Sequence, residues 1–147
     1  MRRASPGFTL IEILVVLALG ATLYAMLASI PFGKASAADL KAAARSVASG
    51  LRTAQSTALA TRRDALLTID MESREYITTG EQDAHKLPQN IDLKLDTAQT
   101  EVVSEHSGSI RFYPDGSSTG GRVTVESGER KYLVDVDWLT GRVAINE

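Results

Sequence analysis

The chain contains no cysteine among its 147 residues. Disulfides, thiol nucleophiles and Cys-based zinc sites are therefore excluded, and the fold must be held by packing alone. Histidine is almost absent too. His85 and His106 sit in polar surroundings with no partner at a ligand or triad spacing, and they read as surface residues. Aromatics are scarce, with one tryptophan. No excess of positive charge exists: the formal net charge is -2, so the chain as a whole has no attraction for nucleic acid, although a local patch could. Phosphate loops and nucleophile elbows are missing as well, and nothing in the sequence gives grounds for an enzyme or a cofactor.

What is present is one long apolar run. From Phe8 to Ile30 the only charged residue is Glu12. About 23 residues at ~1.5 Å each make roughly 34 Å of helix, enough for the ~30 Å hydrocarbon core of a bilayer. A carboxylate near the front of such a segment costs a few kcal/mol in lipid unless something neutralises it. Ahead of the run stands a short leader with Arg2 and Arg3, no acid, and Gly7 at its end. Removing it would take the net charge from -2 to -4. The run Gly7-Phe8-Thr9-Leu10-Ile11-Glu12 resembles the processing site of type IV prepilins and of the pseudopilins of type II secretion. The resemblance implies a cut between Gly7 and Phe8 by a prepilin peptidase, which also N-methylates Phe8. It further implies that Glu12 meets the charged amino terminus of a neighbouring subunit during assembly, so that two ions costly alone become tolerable as a pair. An uncut anchor with a snorkelling Glu12, or a secretory signal cut near Ala35-Ser36-Ala37, competes with this reading. The apolar run is longer than a secretory signal core. In every case Arg2 and Arg3 stay cytoplasmic and the remainder crosses the membrane.

Pro31 predicts a kink or local break. Beyond it, alanine-rich sequence continues the helix into water, with Leu40, Ala44, Val47, Leu51, Ala54 and Ala58 on one stripe and an end near Thr61 to Arg63. The stripe is expected to cover the chain's own sheet. The segments are thus 1–7 leader, 8–30 membrane and assembly half of the helix, 31–63 amphipathic half, and 64–147 head, roughly 85 residues and enough for one core.

From Asp64 the period turns to two. Strands are expected at 65–69 and 75–78 around a turn at 71–74, at 91–95, 110–113, 123–125, 132–138 and 142–145, with a polar loop from Thr97 to Ser109. In the sixth of these, Tyr132, Val134, Val136 and Trp138 would share a face. The class is α+β: a long N-terminal helix packed on an antiparallel sheet head. Phe112-Tyr113-Pro114-Asp115-Gly116-Ser117, Gly120-Gly121 and Trp138-Leu139-Thr140-Gly141-Arg142-Val143 look like the C-terminal sheet of GspH/FimT-type minor pseudopilins. That likeness implies a type IV pilin-like fold and a structural subunit of a type II secretion pseudopilus. Its partners would be other major and minor pseudopilins and the peptidase. Its place would be the inner membrane, single-pass, with the head in the periplasm.

Two further constellations need weighing. Asp135 and Asp137, two apart, would lie on one strand face as a carboxylate pair, or simply as solvated acids. Asp115-Gly116-Ser117 lacks the spaced acids of a calcium loop and reads as a turn. The alternative function, a FimT-like pilin in pilus assembly or DNA uptake, would rest on Arg111, Arg122, Arg130, Lys131 and Arg142 converging. Glu126, Glu129, Asp135 and Asp137 stand against it, since phosphate binding needs uncompensated cations.

Overall fold

The computed structural model describes residues 9–28, 33 and 35–147, which divide into two units after Gly33. Gly7, Phe8 and Pro31, on which the expected cut, methylation and helix break fall, lie outside the described residues.

In the first unit, α1 spans Leu10–Ala28. Leu10, Ile11, Ile13, Leu14, Val15, Val16, Leu17 and Leu19 are all more than half exposed, so the helix is apolar on every side. A helix of that kind needs lipid or other helices around it. Its 19 residues rise about 28 Å, and among the described residues no helix is long and apolar enough to cross a membrane. The expected span, 8–30, runs past the described residues at both ends.

In the second unit, α2 spans Ala37–Thr61 and starts on its own signal. Ser36 Oγ accepts from the Asp39 N–H at 3.1 Å while Asp39 Oδ2 accepts from the Ser36 N–H at 3.3 Å, a reciprocal capping box. α2 therefore begins afresh at Ser36. It ends where Arg62 turns left-handed, φ 53°. Every residue of the expected stripe, Leu40, Ala44, Val47, Leu51, Ala54 and Ala58, is fully buried.

The stripe faces two antiparallel sheets rather than one. The first has the order β3-β2-β1-β6-β5, built from β1 (Ala65–Asp70), β2 (Glu75–Thr78), β3 (His85–Lys86), β5 (Val102–Ser104) and β6 (Ser107–Phe112). The second has the order β4-β7-β8-β9, built from β4 (Asp92–Thr97), β7 (Gly121–Ser127), β8 (Arg130–Val136) and β9 (Val143–Asn146). Ala65, Leu67, Ile69, Ile110 and Phe112 line the inner side of one sheet; Leu93, Val123, Val125, Val134 and Val143 line that of the other. At Gly50 the helix comes so close that an added Cβ would lie 2.6 Å from Tyr76 Cε2 and 2.7 Å from Leu67 Cδ1. Where the chain enters this unit, the Ala35 N–H donates to Ser127 Oγ at 2.9 Å, and that hydroxyl donates to the Asn90 carbonyl at 3.1 Å.

The stretch expected as a polar loop, Thr97 to Ser109, is ordered secondary structure: a short 3-10 turn at Gln99–Glu101, then β5 and the start of β6. Its anchor is Glu101, a buried carboxylate that accepts from Arg111 Nε at 3.0 Å and Nη2 at 3.2 Å.

Candidate functional site

Glu12 is the first candidate. It stands exposed in the first turn of α1, where the unsatisfied N–H groups favour a negative charge. Its own N–H reaches the Thr9 carbonyl at 3.1 Å and, more weakly, Thr9 Oγ1 at 3.4 Å. The carboxylate is thus presented at the front of a wholly apolar rod.

The second candidate is the outward face of the four-stranded sheet. Its register sets Asp96, Arg122 and Asp135 in one row, and Asp92, Glu126 and Lys131 in another. Arg122 Nε bonds Asp135 Oδ1, and Lys94 Nζ reaches Glu126 Oε1 at 2.6 Å. The hydrogen bond to Asp135 holds the Arg122 guanidinium above its ordinary pKa and draws the Asp135 carboxyl below the usual range. Glu126 does the same for the Lys94 ammonium.

These rows decide what the five cations can do together. Arg111 lies in the other sheet, tied to Glu101 and, at 3.4 Å, to Asp64; the bond to Glu101 raises its pKa. Arg130 and Lys131 open β8, whereas Arg122 is in register with Asp135 near its far end, about 13 Å or more along the strand. Only Arg122 and Arg142 share a cleft, an open hollow of ≈ 860 Å³, and Asp96, Asp135 and Asp137 line it with them. The five do not converge, and the face alternates in sign instead of offering a basic stripe.

Asp135 and Asp137 line the same cleft, but each carboxylate is held by hydrogen bonds of its own. β8 ends at Val136, and Asp137 begins a turn. Its Oδ1 accepts from the N–H of Leu139 (3.1 Å) and Thr140 (2.8 Å) and from Thr140 Oγ1 (2.8 Å), which pulls its pKa down. Asp135 is occupied by Arg122 and by Asn146 Nδ2. Both carboxylates thus serve local structure, Asp135 across the sheet and Asp137 within its turn. Trp138, expected to share a strand face with Tyr132, Val134 and Val136, lies beyond the end of β8 in this turn and is 66% exposed. Asp115 likewise serves its own turn, accepting from Ser117 Oγ and N–H. Among the described residues no group of three or more His, Asp or Glu side chains could hold a metal ion.

Sequence reasoning passed over a third feature, because its parts are far apart in the chain. Gln55, on α2, donates through Nε2 to the carbonyls of Thr140 (3.2 Å) and Gly116 (3.4 Å). It thereby ties the 113–118 turn to the 137–141 turn. Gly141 sits there at φ 63°, where an added Cβ would come within 2.4 Å of the Gly116 carbonyl oxygen. The turn is further fixed by the Gly141 N–H on the Asp137 carbonyl at 2.8 Å and the Ser118 N–H on the Trp138 carbonyl at 2.8 Å. Trp138 and Leu139 are held out into solvent on this rigid base.

Comparison with known proteins places both ends of the chain. Residues 43–140 match the family model described as type II transport protein GspH, and residues 2–28 match the prokaryotic N-terminal methylation motif. The type II secretion system protein H of Xanthomonas campestris pv. campestris is 31% identical over 143 residues, covering 97% of this chain and 84% of that protein. Two solved structures share the fold at 13% identity. One is the minor pseudopilin EpsH of the Vibrio cholerae type 2 secretion system, with TM-score 0.58 over 74% of this chain and 96% of that one. The other is the type IV minor pilin FimU of Pseudomonas aeruginosa, with TM-score 0.57 over 74% and 88%.

Proposed function

The chain belongs to the GspH family of type II transport proteins and is a minor pseudopilin, and from that premise we propose how its N-terminal segment works. Residues 1–7 are a leader that a prepilin peptidase removes after Gly7, and the same enzyme methylates the new terminus at Phe8. Residues 8–30 first hold the chain in the inner membrane, single-pass, with the head in the periplasm. They then pass into the helical packing of the pseudopilus, among the other pseudopilins. Glu12 controls that transfer by meeting the liberated amine of an adjacent subunit. The chain itself performs no chemistry; it is a substrate of processing and a part of the filament.

One observation carries the reading. A helix apolar on all sides presents a single carboxylate in its first turn, within a segment that matches the N-terminal methylation motif. In lipid alone that carboxylate costs a few kcal/mol; beside an ammonium it is paired. The test is to determine the amino-terminal residue and methylation of the mature chain, together with the fate of Glu12→Ala. We expect a methylated phenylalanine at the start, normal processing of Glu12→Ala, and weakened incorporation of that variant into the filament. A different first residue, or wild-type incorporation of Glu12→Ala, refutes the proposal.

A further inference from the structure

Among the described residues α1 carries three polar side chains, Glu12, Thr22 and Tyr24, and two of them are provided for. Glu12 lies in the first turn, where the helix end favours its charge. Thr22 Oγ1 donates to the Leu19 carbonyl at 2.8 Å, within its own helix. Tyr24 is different. Its side chain is 76% exposed, and among the described residues its hydroxyl has no hydrogen-bond partner. Threonine's solution is closed to it, because the ring carries the hydroxyl too far out to fold back on its own turn.

Water would satisfy that hydroxyl, so depth decides the matter. A span over 8–30 has its midpoint at Leu19, and Tyr24 lies about 7.5 Å beyond it. The hydrocarbon core reaches about 15 Å to either side of its centre. Helix side chains also lean toward the N-terminus, which here is back toward the centre and away from the periplasmic surface. Tyr24 is therefore too deep for the interfacial belt where tyrosines find water. In lipid its hydroxyl faces only hydrocarbon, and an unpaired hydroxyl there is costly. Packed helices offer what lipid lacks. A helical carbonyl keeps a second lone pair beyond its own backbone bond, and a donor on a closely packed neighbour can use it. Gly20 stands one turn before Tyr24 on the same face, and nothing lies within 4 Å of a Cβ added there. A neighbouring helix can come close to the rod at that point.

We propose that Tyr24 is a second docking contact of α1: in the filament its hydroxyl donates to a main-chain carbonyl of an adjacent pseudopilin's N-terminal helix, packed over Gly20. The hydroxyl is unpaired in the membrane and paired after transfer. It therefore favours the filament in the same sense as Glu12, about 18 Å further along the rod. The proposal rests on the membrane placement and pseudopilin reading given above. Its test uses the full-length chain in cells that make the secretion system. Tyr24→Phe removes the hydroxyl and keeps the ring, and the ratio of chain in sheared filaments to chain in the membrane is measured by quantitative mass spectrometry. In a second strain a photo-crosslinking benzophenone amino acid replaces Tyr24.

The expected result is a fall in that ratio of about threefold, the worth of an average hydrogen bond between membrane helices, with the amino terminus processed as usual. The benzophenone at position 24 should join the chain to the N-terminal helix of another pseudopilin. An unchanged ratio means that the hydroxyl has equivalent surroundings in both places, and the inference falls. A raised ratio means that it is satisfied in the membrane and loses its partner in the filament, and the inference falls again. Adducts with lipid alone, or only with a head, from a chain that is in the filament also overturn it. If the unaltered chain never enters the filament, the pseudopilin reading goes too. If it enters, Glu12→Ala does not, and Tyr24→Phe matches the unaltered chain, only the present inference is lost.

Discussion

Replacing Gly50 by alanine sets two effects against each other, and the structure says which wins. In the middle of a solvent-exposed helix the change stabilises by about 1 kcal/mol, because glycine loses more backbone freedom on folding. Gly50 is not exposed. The new methyl would sit 2.6 Å from Tyr76 Cε2, 3.2 Å from Tyr76 Cδ2 and 2.7 Å from Leu67 Cδ1. Both neighbours are side chains and could move in principle. Leu67, however, is wholly buried. The Tyr76 ring is held by its hydroxyl at the Ser46 Oγ (2.9 Å) and carbonyl (3.0 Å), and by a stack on His85 with centroids 4.9 Å apart. Overpacking a confined site costs about 1–3 kcal/mol, so the expected balance is a net loss of about 1 kcal/mol. For a head of this size that lowers the melting temperature by roughly 4–6 °C. The assay is thermal denaturation of the head from Lys34 onward, for Gly50→Ala, Leu67→Ala and the double variant. Leu67→Ala should cost about 2–5 kcal/mol by opening a cavity, and Gly50→Ala added to it should recover part of the loss. If Gly50→Ala alone raises the melting temperature, or if the two changes are simply additive, the close approach of helix and sheet does not limit this position.

Glu101→Ala should destabilise the head by about 2 kcal/mol in urea titration. That is less than the 3–5 kcal/mol of a fully buried pair, since the Arg111 side chain is 29% exposed and keeps Asp64. Converting both Glu101 and Arg111 to methionine should cost much less than the single change. Gly141→Ala meets both a left-handed backbone and two contacts under 2.6 Å, so its midpoint should fall further than that of Gly50→Ala. Finally, the carboxyls of Asp70, Glu81, Asp115, Asp135 and Asp137 all titrate below their ordinary range in the folded head. A depressed folded pKa gives stability that is present above the unfolded value, near 4, and lost as the pH falls through the folded value. The urea midpoint should therefore hold from pH 7 to about 5 and decline below 4; a midpoint that rises on acidification contradicts these assignments.

The helix of the head could be read from the chain because its information is local. A stripe recurring every three or four residues has one way to bury itself, and all six positions are buried. The alternation from Ile91 to Leu95 worked for the same reason, and β4 carries it. Where the decisive partner is distant, the reading failed. Glu101 looks like any polar loop residue until Arg111, across the β5–β6 turn, supplies its counter-charge, so the sequence reads as a loop where the structure has β5 and the start of β6. The division into two sheets depends on β1 choosing β6 and β4 choosing β7, pairings that no local pattern encodes. At Trp138 the alternating pattern was extended one step too far. Asp137 accepts three hydrogen bonds from Leu139 and Thr140, and that local gain ends the strand and turns the indole outward. For the candidate-site residues the split is similar: Glu12 announces itself as a lone charge in an apolar run, whereas the end of the head that Gln55 ties together is assembled from α2 and two turns and has no contiguous signature.

The bond between the Ala35 N–H and Ser127 Oγ joins residues 92 apart. Its consequence is mechanical. Tension applied along the polypeptide from its front reaches this fastening as soon as it reaches the start of α2, and passes directly into the β7–β8 hairpin. The pull is shared between a helix and a pair of strands instead of peeling the helix away turn by turn. A globule hauled by its leash in this way can be moved without being unravelled.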